Sequence, residues 1–151
     1  MSYNINYQHI IFRTDHSFPS IPQEHKVELL SYVNSVSIDM GVRVLRINAY
    51  QNHVHILIDL PASMSLSEYV RKIKQTSSAA FNGNPNYPFF KGWAKGYGSF
   101  SVSHYERERI INYIKGQDEH HRVKTFSEEL AEFFGKEKIA ADKYWKQNWE
   151  E

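Results

Sequence analysis

HVHILIDL, residues 53–60, is the stretch on which the fold turns. Side chains of an extended chain alternate between two faces. Val54, Ile56, Ile58 and Leu60 fall on one face and make an unbroken apolar row. His53, His55 and Leu57 fall on the other, and Pro61 ends the run. A strand with one apolar face lies against a core. Its second face carries two imidazoles two residues apart, which can reach one divalent ion together. Imidazole suits several transition metals, whereas Mg and Mn prefer oxygen. The pair alone leaves the metal open, and its plain alternative is two polar strand residues with no ligand.

Working outward, VRVLRINAY at 42–50 reads as a strand joined to 53–60 by the short turn Gln51-Asn52. Before it, Val27, Leu30, Val33, Val36 and Met40 have helical spacing. Pro22 suits the first turn of that helix, and Gly41 sits where a C-terminal cap belongs. A loop holding Pro19 and Pro22 separates this helix from a first strand at 3–12. After Pro61, Ser65 and Glu68 form a capping-box pattern. Leu66, Tyr69, Val70, Ile73, Ser77 and Ala80 then mark one helix face. Residues 82–96 form a loop and 97–103 a fourth strand. Ser103 with Glu106 starts a helix running to about His121, and Thr125 with Glu128 a short one near 126–137. The order β-α-β-β-α-β predicts an α+β, ferredoxin-like antiparallel sheet with two helices on one face and further helices appended at the C-terminus. The fold hosts many functions and decides none of them.

The 151 residues suit one domain, 1–151, with one core. The absence of cysteine excludes disulfides, thiolate metal sites and cysteine nucleophiles. Neither a signal peptide nor a run of roughly 20 apolar residues is present, which points to a soluble, cytoplasmic protein. The net charge of +1 conceals an uneven distribution. Residues 1–69 carry −2, residues 70–124 carry +6 and residues 125–151 carry −3. The basic middle third is a solvated face or a track for a phosphate backbone.

In the helix after Ser103, Ile110, Ile111 and Ile114 form the apolar stripe. Tyr113 and Gln117 are four apart and share a face. Taken alone, Tyr113 reads as an aromatic at the edge of the core. A tyrosine is also a covalent nucleophile for phosphorus. Its ordinary pKa of about 10 means that a metal or cationic neighbour helps it ionise. The Gln117 side-chain oxygen is a candidate third metal ligand.

NHVHILIDLP at 52–61, SLSEYVRKIKQTSS at 65–78, GWAKGYGSFSVS at 92–103 and YIKGQDEHH at 113–121 together resemble the small one-tyrosine transposases of the HUH superfamily. These are insertion-sequence transposases acting on single strands and the related REP-associated tyrosine transposases. The resemblance covers most of the chain in the family's order. HUH followed by the Tyr-xxx-Gln helix is its specific part. It implies that Tyr113 attacks a DNA phosphate, leaving a 5′-phosphotyrosine and a free 3′-hydroxyl. It implies that His53, His55 and Gln117 hold Mg or Mn. It further implies a substrate of single-stranded DNA folded as a hairpin from an imperfect palindrome. The expected assembly is a homodimer in which one subunit's tyrosine helix completes the other's site.

The chain departs from the family after its first strand, where Thr14, Asp15 and His16 replace the usual basic residues. Gly116 lies within the tyrosine helix, at a cost of roughly 1 kcal/mol against Ala. Arg71, Lys72 and Lys74 are candidate phosphate contacts. Phe89, Phe90, Trp93, Tyr97 and Phe100 cluster where bases could stack, with core packing the expectation for Trp93 and Phe100. His104, His120 and His121 read as polar surface or cap residues, and Asp59 as a strand-end residue and not a ligand. Two rival classes stand beside strand transfer. One is a non-catalytic module binding single-stranded nucleic acid, as ferredoxin-like sheets do. The other is a metal-dependent hydrolase working through His53 and His55.

Overall fold

The computed structural model describes residues 3–116 and Glu128. Strand β1 (Tyr7–Arg13) is followed by helix α1 (Lys26–Asp39), β2 (Arg43–Tyr50) and β3 (His53–Asp59). Helix α2 (Leu66–Phe81), β4 (Gly98–Val102) and α3 (Arg107–Lys115) complete the order. The sheet runs β2-β3-β1-β4, with every neighbouring pair antiparallel. This is the expected β-α-β-β-α-β arrangement with a helix appended. The histidine strand β3 and its neighbour β1 are the two interior strands, each with a partner on both sides.

The local signals explain most boundaries. Ser65 Oγ accepts from Glu68 N at 3.1 Å, so the capping box starts α2. Tyr69, Val70, Ile73, Ser77 and Phe81 are its buried residues. Ala80, expected on that face, is exposed, because the four-residue step from Ile73 through Ser77 lands on Phe81. Gly41 has φ +78°, the left-handed geometry a helix C-terminus favours, which glycine adopts without a Cβ clash.

Helix α1 corrects the predicted stripe. Pro22 precedes a 3-10 turn at Gln23–His25, and the α-helix begins only at Lys26. Its buried residues are Leu29, Val33 and Ser37, four apart, while Val27 is 68% exposed. Apolar residues surround much of this helix, so spacing alone did not select the buried line. The polar Ser37 occupies a core position because its hydroxyl is satisfied twice. It donates to Val33 O at 2.8 Å and pairs with Tyr69 Oη at 2.7 Å. Burial pushes the Tyr69 phenol up to about 12, against the smaller opposing effect of the Ser37 bond.

Two apolar clusters lie on opposite faces of the sheet. Ile10, Phe12, Val54, Ile56 and Ile58 pack with Leu29 and Val33 of α1 and Tyr69, Val70 and Ile73 of α2. Tyr87 and Phe90, from the loop after α2, join this cluster, with Trp93 packed against it. On the other face, Tyr7, Leu57 and Val102 pack with Ile110 and Ile114 of α3. Among the described residues no helix is long and apolar enough to cross a membrane. The helix expected near 126–137 and the tail beyond lie outside the described residues, apart from Glu128.

Candidate active site

The sheet face under α3 holds the polar groups. His53 and His55 are fully buried, with ring centroids 5.1 Å apart. Asn52, at the β2–β3 turn, places its Oδ1 2.8 Å from His53 Nδ1. An amide oxygen only accepts, so His53 carries its proton on Nδ1 and presents the lone pair of Nε2. His55 Nδ1 lies 2.8 Å from Nε2 of His9, itself fully buried on β1. Both rings are thus held by a side-chain partner at Nδ1.

Helix α3 is built onto this face from its two ends. Ser103 Oγ accepts from Glu106 N at 3.2 Å, the expected cap. Arg109 donates to Glu106 at 2.7 Å and, with Ser103, holds that carboxyl below its ordinary range. Arg107 donates to Tyr7 Oη at 3.2 Å, and His104 stacks on the Tyr7 ring. At the far end Asn48, on β2 and paired with His55 in register, donates to Ile114 O at 2.9 Å and Lys115 O at 3.4 Å. Ile110 and Ile114 are buried between these anchors. The half-buried Tyr113 ring then stands edge-on to His55, with centroids 5.9 Å apart. Phe100, Ser101, Val102, Glu106, Arg109, Ile110 and Tyr113 line a cavity of about 310 Å³ beside it.

The structure therefore brings His53, His55 and Tyr113 together. Gln117, His120 and His121 lie outside the described residues, and Gly116 forms the C-cap of α3. No group of three or more His, Cys, Asp or Glu among the described residues is arranged to hold a metal. The histidine pair supplies two nitrogen donors on one face, which fits a metal whose further ligands are an amide oxygen, phosphate and water. Asp59 is engaged elsewhere, its Oδ1 accepting from Asn6 N at 2.9 Å.

Arg71 and Lys72 are exposed on α2, across the sheet from the histidines. Lys74 is tied down: its Nζ donates to Ala94 O at 2.9 Å and Gly96 O at 2.5 Å and sits 5.5 Å from the Phe12 ring centroid. Burial lowers this amine to about 8, helped by the Arg13 charge. Of the aromatic cluster, Phe90 is core, Trp93 packs on Phe12, and Phe100 stands edge-on to His9. Phe89 is exposed. After β1, His16 and Ser17 both adopt left-handed backbone.

Sequence reasoning missed His9, Asn48 and Arg13, which register places opposite His53. The signal for His9 was present: it alternates with the core residues Ile10 and Phe12. Its meaning required knowing that β1 pairs with β3.

The sequence profile of IS200-like transposases matches residues 1–117. The chain belongs to the IS200-like transposase family. Two solved structures share this transposase's fold. A candidate transposase from Deinococcus radiodurans R1 is 20% identical with a TM-score of 0.58, over 78% of this chain and 95% of that one. A REP-associated tyrosine transposase bound to a REP hairpin is 15% identical with a TM-score of 0.58, over 80% of this chain and 72% of that one. No curated protein matches the transposase in sequence.

Proposed function

We propose that this transposase cuts and rejoins single-stranded DNA through a 5′-phosphotyrosine on Tyr113, at a site where His53, His55 and Gln117 hold Mg or Mn. The observation that carries the reading is the packing of the Tyr113 ring against His55, 5.9 Å between centroids, on a face that also buries His53. Tyr113 comes to it from α3 and the two histidines from β3.

In the cutting step Tyr113 Oη attacks phosphorus and its proton passes to solvent. A Tyr113–phosphate bond forms as the bond from phosphorus to the 3′ oxygen breaks, and that oxygen leaves as a 3′-hydroxyl. In rejoining, the 3′-hydroxyl of another strand end attacks the same phosphorus and Tyr113 leaves. One phosphodiester is exchanged for another, so no nucleotide is consumed. The bound metal would neutralise phosphate charge and favour the ionised phenol. The chain's part is to fix both histidines by Nδ1 and to seat Tyr113 against them.

The substrate proposed is a hairpin with adjoining single strand. The fold neighbour bound to a REP hairpin supports this choice. In the single chain α3 rests on its own sheet. A homodimer with shared sites would form by exchanging α3 between two such sheets, keeping the same contacts.

The test uses a labelled single-stranded hairpin oligonucleotide and a denaturing gel. Wild type with Mg or Mn should yield a covalent protein–DNA adduct, and chelator should suppress it. Binding without any adduct would return the chain to a non-catalytic module. Mixing Tyr113→Phe with His55→Ala under subunit exchange should restore cleavage if sites are shared. A dead mixture assigns the site to a single chain.

A further inference from the structure

We infer that His9 is a positioning residue for the metal site: it accepts the Nδ1 proton of His55 and so fixes which nitrogen of His55 faces the ion. The inference rests on the metal reading above. His9 lies on β1 opposite Leu57, two residue pairs along from the Ile11–His55 pair, which sets the two imidazoles diagonally on one face of adjoining strands. His9 Nε2 and His55 Nδ1 are 2.8 Å apart, with ring centroids 5.0 Å apart and planes tilted by 41°. Both side chains are fully buried. Phe100 stands edge-on to His9 with centroids 4.5 Å apart, so a ring from the next strand, β4, limits where the His9 ring can turn.

A neutral imidazole has one proton, and the nitrogen that binds a metal is the other one. Coordination through Nε2 of His55 therefore places the proton on Nδ1, aimed at His9. His9 must then accept at Nε2 and carry its own proton on Nδ1. The reverse arrangement, with His9 donating, puts the His55 proton on Nε2 and blocks coordination. Asn52 does for His53 what His9 does for His55, but an amide oxygen has no choice of role. Partners of this kind set ring orientation and donor strength, and losing one weakens metal binding about 10–100-fold.

The test measures Mn affinity of the intact protein by the resonance of free Mn, for wild type, His9→Phe and His9→Gln. Phe keeps a ring against Phe100 and removes the acceptor. Gln places an amide near the former Nε2 and retains one. His9→Phe should bind Mn about 10–100-fold more weakly, and His9→Gln should stay within a few-fold of wild type. Long-range proton–nitrogen correlations on Mg-loaded wild type should show the His55 proton on Nδ1, a result that holds even if His9→Phe does not fold. Equal Mn affinity for wild type and folded His9→Phe overturns the inference, as does a His55 proton on Nε2 in the Mg-loaded protein. A wild type that takes up no Mn overturns the metal reading, and the role of His9 with it.

Discussion

The two faces of one four-stranded sheet are built to different rules. Toward α1 and α2, β3 offers Val54, Ile56 and Ile58, and β1 offers Ile10 and Phe12, all fully buried. Toward α3 the same strands offer His53, His55 and His9, buried as deeply but polar. Burying a polar group is costly unless it is hydrogen-bonded. The first face is satisfied by packing alone, so its residues need only volume and shape. The second needs named partners: Asn52 for His53, His9 for His55 and the α3 carbonyls for Asn48. A face that costs more to build and stabilises no better than an apolar one is where function should be sought.

The contrast breaks most sharply at Tyr113. Tyr113→Phe should lower adduct formation by about 10⁴-fold or more, while circular dichroism and hairpin affinity stay at wild-type levels. A persistent adduct would move the nucleophile elsewhere, with the exposed Tyr105 next to test.

The next comparison sets one residue from each face side by side. Ile56→Ala should cost about 2–5 kcal/mol in denaturant unfolding, the range for a cavity in a packed core. His55→Leu should cost no more than about 1–2 kcal/mol, for leaving His9 without its partner, yet should abolish cleavage. If His55→Leu destabilises as much as Ile56→Ala, the two faces are energetically alike and the contrast fails.

A smaller effect is expected at Asn48, which joins the polar face to α3. Asn48→Ala removes two bonds to the last carbonyls of the helix and should cost about 1–2 kcal/mol. Hydrogen exchange should quicken in α3 and stay unchanged in α1 and α2. Uniform quickening would show that α3 and the main core open as one unit.

The last effect, at Lys74, is confined to alkaline pH. Its amine is lowered to about 8 in the fold, from 10.5 when free, so between these values the unfolded chain binds more protons. Stability therefore rises with pH across that window. Wild type should gain stability relative to Lys74→Met between about pH 8 and 10.5. A flat difference would show that the carbonyls of Ala94 and Gly96 hold the charged amine without penalty.

Legibility in the sequence followed the range of the interaction. The alternation of 53–60 fixed both faces of β3 because its period is local, and the two serine caps located the starts of α2 and the turn into α3 for the same reason. The β-α-β-β-α-β order of elements was legible for the same reason, from local patterns read one after another. The buried line of α1 was not legible, because Ser37 looks like a surface residue until Tyr69, from another helix, supplies its partner. Lys74 reads as a free cation until the loop that folds back over it is known. His9 and Asn48 gain meaning only through register, which ties β1 and β2 to β3 and the α3 end to Asn48. Spacing alone left plain alternatives for His53, His55 and Tyr113, and the family resemblance is what named them in advance.

The interior position of β3 has a mechanical consequence. Its ladders to β1 and β2 both run the length from His53 to Asp59, so neither histidine can shift without tearing hydrogen bonds on two sides. Helix α3 is mounted otherwise: it leaves the edge strand β4 through the short turn at 103–106 and is held to the sheet by a few apolar side chains, the Arg107–Tyr7 bond and Asn48. One part of the site is an anvil held on both sides and the other an arm joined through one short turn. Under the proposed chemistry the arm also carries the cargo, because the severed strand is bonded to Tyr113. Moving α3 would move DNA, while the ion-holding pair stays where the next strand end must arrive.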